Sequence, residues 1–306
     1  MSPQISESFN LVQNRAKILG PGIMMENIME GPLWEARNWA ASEGEGSIHD
    51  DTTAEKLGFR GGTVPGDVHM NQFPPMLLKL FGHEWFETGH LSLNFKNATT
   101  DQERVKVVVD IPKPDAEQTS VRMEREDGML VCTGTAGVGN HERSALQTQD
   151  LRSCEPKELR ILNKLYPGMS LGQYEVFVSA DKQIQRFDAG LISDPLECYK
   201  DSSLFGGILP APCTVIEYLW GYPIQAIAPY IEESVGLFGA IEIAFQNGPF
   251  FLNQNYQLQS EVICVGQSPQ TEYVWYKTKA LDASKRTIAS MIMQGRTMKA
   301  PSKAYK

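Results

Sequence analysis

The chain has 306 residues, 42% of them hydrophobic and 21% charged, which suits one large or two medium globular domains with cores of useful size. A formal net charge of -9 and the lack of a basic cluster argue against nucleic-acid binding, which needs Lys and Arg gathered on one face. No apolar run reaches the ~18–20 residues that span a bilayer, and Met1 to Asn14 lacks the apolar core of a signal peptide, so no membrane partner and a cytoplasmic location are expected.

The five cysteines, Cys132, Cys154, Cys198, Cys213 and Cys264, are scattered and odd in number. With no C-x-x-C spacing they predict buried reduced thiols rather than a disulfide framework. The five histidines, His49, His69, His83, His90 and His141, show no zinc-helix spacing, so no metal and no cofactor are expected.

In chain order, residues 1–45 read as irregular. A short helix is predicted over Thr52–Leu57, closed by Gly58. Pro65-Gly66 marks a turn. Apolar residues at 68, 73, 76, 77, 80 and 81 then fall on one helical stripe, which Pro74-Pro75 must kink or interrupt. After Gly89 the period changes to two. His90–Phe95, Arg104–Val109, Ser120–Glu124 and Leu130–Ala136 predict an antiparallel meander, with Asp127-Gly128 as its last hairpin signal. Residues 140–170 are polar and turn-rich and read as a linker.

The second half repeats the first. Phe59-Arg60-Gly61-Gly62-Thr63-Val64-Pro65-Gly66 has its partner in Leu204-Phe205-Gly206-Gly207-Ile208-Leu209-Pro210-Ala211, 145 positions later. A helix-like run, Val215–Ile227, follows, and a strand over Gly239–Phe245 matches the one ending at Phe95. Tyr256–Val265, Glu272–Leu281 and Thr287–Met298 complete a second meander. The same order of loop, Gly-Gly-x-x-Pro turn, helix and four strands means duplication of a whole module. The expected division is 1–145, carrying the chemistry, and 146–306, shaping the substrate pocket.

The segment Ile48-His49-Asp50-Asp51 … Ala54 … Gly58-Phe59-Arg60-Gly61-Gly62 … Val64-Pro65-Gly66, extending through Gly82, Trp85 and Gly89 to Phe95, resembles the MaoC-like hydratase/dehydratase superfamily in its double hot-dog branch. The resemblance implies an α+β fold in which two antiparallel sheets each wrap a long helix. His49 falls on the family histidine, Asp51 on the acid that follows it and Ala54 on a small residue. The family's catalytic Asp falls on Gly44, flanked by Glu43 and Glu45. Gly66 falls on the glycine whose N–H holds the substrate carbonyl, where unpaired N–H groups at a helix start suit a developing oxyanion.

The candidate catalytic residues are therefore His49, Asp51, Asp67, His69 and Gly66, with Gly62, Val64, Pro65 and Trp85 as candidate substrate contacts. An imidazole at His49 suits proton transfer near neutral pH. Asp67 reads either as an N-cap or, with Gly66 and His69, as a cluster replacing the missing Asp. His83 and His90 read as surface or loop residues. The second half has no histidine, and Asp194 stands where the first has His49. Its aromatic residues, among them Tyr218, Trp220 and Phe238, fill a core or line a widened cavity.

The resemblance implies a hydro-lyase acting on an enoyl or β-hydroxyacyl group, with a coenzyme A or carrier-protein thioester as partner. Two alternatives stay open: an isomerase or cyclase of a non-thioester biosynthetic intermediate, and a non-catalytic acyl-binding protein. Both a monomer and a homodimer are compatible with fused halves.

Overall fold

The computed structural model describes residues 27–43, 46–113, 115–192, 194–202 and 204–306. The first half runs β1 (Ile28–Glu30), β2 (Trp34–Glu35), α1 (Asp51–Lys56), α2 (Gly66–Met70), α3 (Pro74–Phe81), α4 (Trp85–Thr88), β3 (His90–Phe95), β4 (Arg104–Asp110), β5 (Gln118–Arg125) and β6 (Leu130–Gly137). The second runs β7 (Ser170–Val178), α5 (Asp181–Asp188), α6 (Pro212–Ile227), β8 (Gly236–Phe245), β9 (Gln254–Gln267), β10 (Thr271–Leu281) and β11 (Thr287–Met298).

All strands lie in one antiparallel sheet of order β1-β4-β5-β6-β3-β8-β11-β10-β9-β7, with β2 also on β4. Read outward from the β3–β8 seam, the two halves have the same strand order. The duplication seen in the sequence is therefore a pseudo-two-fold, and the two modules share one continuous sheet. At the seam Leu91 lies opposite Ile243 and Leu93 opposite Ile241, all four fully buried. Burial of such a side chain is worth about 1.5–3 kcal/mol, so the four contribute roughly 6–12 kcal/mol to folding before entropic cost. The seam also removes two open sheet edges.

Several elements differ from the sequence reading. β1 and β2 lie in the stretch read as irregular. β7 begins where the polar linker was placed to end. All three are outer strands, and their pairing with β4 and β9 supplies what their weak alternation does not.

The first hot-dog helix is split into α2 and α3. Pro74 opens α3, where its missing N–H costs nothing, and the Phe73 carbonyl takes the Met76 and Leu77 N–H groups. The break frees Asn71 to serve the other half: its Oδ1 accepts from Cys213 N at 2.9 Å and its Nδ2 donates to Leu191 O at 2.9 Å. Cys213 N is an orphan donor in the first turn of α6, so Asn71 caps that helix across the module boundary. α6 is continuous over 16 residues despite Pro223.

The buried core contains residues of both halves, from Val64 and Leu77 to Leu219 and Met293. All five cysteines are free, and only Cys154 is not fully buried. Among the described residues no helix is long and apolar enough to cross a membrane.

Candidate active site

The loop before α1 is built by short-range polar chemistry. Asp50 caps α1, accepting from Thr53 N and Thr53 Oγ1, both at 2.8 Å. Asp50 is thus the N-cap of α1. Asp51 turns the other way, and its Oδ1 accepts the Gly62 N–H at 2.7 Å. Thr63 N donates to Ile48 O, Val64 N donates to Thr99 O, and Asn38 Nδ2 donates to His49 O at 2.8 Å. Residues 48–49, 62–64 and 99–100 are thus laced into one rigid layer. Gly62 sits so close to this layer that a Cβ there would lie 2.2 Å from His49 O. Glycine is required by that approach.

His49 is held by its own ring. Nδ1 lies 2.6 Å from Thr63 O. A carbonyl only accepts, so Nδ1 carries the proton in the neutral ring and Nε2 carries the lone pair. His69, one turn into α2, places Nε2 2.7 Å from Thr99 Oγ1, while its buried Nδ1 has no hydrogen-bond partner among the described residues. Burial holds His69 down to about 4, so the ring is neutral near pH 7.

His49, His69, Val64, Pro65 and Gly66 all line one cavity of about 500 Å³. That volume suits a small-molecule site. Gly66 starts α2 against the Phe95 ring, where a Cβ would meet Phe95 Cζ at 2.7 Å. The far wall comes from the second half: Trp220 on α6, Phe238 on β8 and Tyr276 on β10. Trp220 and Phe238 meet edge to face at 5.6 Å. The cavity therefore lies between the modules, with its histidines from one and its aromatic wall from the other.

Four of the residues singled out in the sequence do not line this cavity. Asp51 and Gly62 bond to each other behind His49. Asp67 faces α5, where its Oδ2 lies 3.1 Å from Arg186 Nη1, and Arg186 also pairs with Glu217 at 2.9 Å. Burial pushes the Asp67 carboxyl up, against the pull of Arg186. The N-cap position of α2 is Pro65, and the recorded charged partner of Asp67 is Arg186. Trp85 is fully buried, packed edge to face on Phe86 and Phe245, with Nε1 donating to His90 O at 3.3 Å.

His90, read as a surface or loop residue, is buried on β3 with Nε2 3.1 Å from Gln118 Oε1. Gly44 and Glu45 lie outside the described residues, as does the side chain of Glu43. No Asp or Glu is among the described residues that line the cavity.

The fold and the site together define a double hot-dog protein with a ligand-sized cavity at the junction of its halves. No family model and no curated protein matches the chain. Solved structures do. A MaoC-like dehydratase is 13% identical, with 88% of this chain and 97% of that chain covered at a TM-score of 0.53. A Chloroflexus aurantiacus protein described as a MaoC domain dehydratase is 9% identical, with 94% and 99% covered at 0.59. A conserved protein from Mycobacterium tuberculosis, described as having a double hotdog fold, is 10% identical, with 89% and 96% covered at 0.60. What this chain shares with all three is the double hot-dog fold.

Proposed function

We propose that the protein is a hydratase/dehydratase-like lyase acting on an enoyl or β-hydroxyacyl group, with His49 as its acid–base residue. The observation that carries the reading is the His49 ring itself. Its Nδ1–H is committed to Thr63 O, which leaves the Nε2 lone pair to take a proton, and the ring lines a cavity to which the second half contributes Trp220, Phe238 and Tyr276. In the dehydration direction Nε2 takes the proton α to the acyl carbonyl. The C–H electrons form the new double bond, the β-hydroxyl leaves, and the imidazolium returns the proton to it as water. In this reading the N–H at Gly66 polarises the carbonyl while negative charge builds on its oxygen. The similar fold of structures described as dehydratases supports this chemistry, and a coenzyme A or carrier-protein thioester is the substrate form it favours.

A second reading is favoured by the lack of carboxylates among the described cavity residues. One histidine is enough to move a proton between two carbons of an unesterified enone, which makes an isomerase or cyclase of a non-thioester metabolite. The two separate in one experiment. The protein is incubated with enoyl thioesters and with unesterified enones, and products are weighed by mass spectrometry. Gain or loss of one water supports the lyase, and a rearranged product of unchanged mass supports the isomerase. His49→Ala is expected to lower either turnover by about 10²–10⁴-fold. Full turnover by that variant removes His49 from the mechanism.

A further inference from the structure

The glycines that line the cavity differ in what a side chain would meet. Gly66 is fixed by the fold, since a Cβ there would lie 2.7 Å from Phe95 Cζ. Gly295, inside β11, is not. Its φ lies outside the left-handed region, and a Cβ there would touch only Val274 Cγ1, at the ordinary contact distance of 3.6 Å. The pairing of β11 with β8 shifts register at this point, but with an ordinary φ the shift needs no glycine. Glycine in a strand interior loses conformational entropy and packs nothing. Where the backbone would accept another residue, its presence marks a need for space.

The space lies in the cavity. The β10–β11 ladder pairs Met291 with Thr278, Met293 with Tyr276 and Gly295 with Val274. Met291, Met293, Tyr276 and Val274 belong to the large core, whereas Ile292 and Trp275 pack in a separate cluster on the other face of the sheet. Alternation therefore puts Gly295 on the inner face, where it lines the cavity with Val274, Tyr276 and Met293. Phe238 lies opposite it on β8. The Tyr276 hydroxyl is spent on Met293 Sδ at 2.9 Å, so these side chains offer apolar surface. α6 adds Trp220, Ile224 and Ile227, spaced i, i+4 and i+7 on one helix face.

We infer that Gly295 is a specificity-determining residue: its missing side chain opens an apolar subsite between Val274 and Phe238, and the ligand carries an extended apolar chain beyond its reacting carbons to fill it. This rests on the same cavity being the substrate site, but not on which reaction takes place there.

Calorimetric titration with two pairs of probes tests the inference: 3-penten-2-one against 3-nonen-2-one, and the crotonyl against the 2-octenoyl thioester of N-acetylcysteamine. Within each pair the head group is constant and the longer member has four more methylenes. The longer member of at least one pair is expected to bind wild type about 10–100-fold tighter, the range that burying those methylenes supplies. Gly295→Leu should cut that preference to under about threefold and leave the shorter probe unchanged, with Gly295→Ala falling between. Because the fold does not need this glycine, Gly295→Ala should melt no lower than wild type. Equal binding of long and short probes by wild type overturns the inference. So does a preference that survives Gly295→Leu, an equal loss of both probes in that variant, or a lowered melting temperature of Gly295→Ala. His49→Ala should keep the chain-length preference while losing turnover, so either reading can fail without the other.

Discussion

Asp67 separates a catalytic from a structural role. Asp67→Asn keeps the side-chain shape and removes the charge that faces Arg186. The pair is 3.1 Å apart, with both side chains under 10% exposed. Breaking a buried pair of this kind costs about 3–5 kcal/mol, because one charge stays buried without its partner. Glu217, 2.9 Å from the same guanidinium, keeps part of the compensation, which places the expected loss near the lower end, about 3 kcal/mol. In a chain of 306 residues that corresponds to roughly 5 °C in melting temperature.

The assay is a double-mutant cycle with Arg186→Met, read by urea unfolding. The double variant should cost less than the sum of the singles by about 1–3 kcal/mol, since neither member of the pair is then left charged, and Glu217 keeps its ion pair with Lys182 at 2.6 Å. Turnover per folded molecule should stay within a few-fold of wild type. A loss under about 1 kcal/mol, or a stable Asp67→Asn protein with turnover abolished, refutes the argument and returns Asp67 to the chemistry.

Gly62→Ala should displace the His49 carbonyl, since its Cβ would lie 2.2 Å from that oxygen. A misplacement of about 1 Å is enough for a roughly hundredfold loss of turnover, measured with whichever substrate the wild type accepts. Stability should also depend on pH through two histidines. Burial holds His69 and His90 each down to about 4, against about 6.5 in the unfolded chain. Between those values the unfolded chain binds more protons, so the stability they contribute is complete above about pH 6.5 and is lost as pH falls toward 4. At pH 5.5 the two together should account for about 3 kcal/mol of lost stability. Urea unfolding of wild type and of the His69→Gln/His90→Gln variant at pH 7.5 and 5.5 isolates this effect. Carboxylates titrate in both proteins and cancel, and equal pH dependence of the two would contradict the assignment.

The sequence by itself determined what local chemistry controls. The Gly-Gly-x-x-Pro turn recurs after 145 positions because the same tight passage from loop to helix is needed twice. The period-two runs from Leu91 to Ala136, and again from Gly239 to Met298, mark strands because successive side chains point to opposite faces. The loop from His49 to Gly66 was legible for the same reason, since its order comes from caps and turns within about twenty residues.

The tertiary structure decided everything that depends on a distant partner. β1, β2 and β7 are strands because β4 and β9 offer them edges. Trp85, in a segment that resembles a substrate-site sequence, turns into the core because Phe245 of the other half waits there. Asp67 and His69 are two residues apart, so the turn of α2 sends one toward Arg186 and the other toward the cavity. Trp220, Phe238 and Tyr276 carry no motif at all. They reach the cavity wall only because the second module closes against the first, an arrangement set by long-range pairing across the β3–β8 seam.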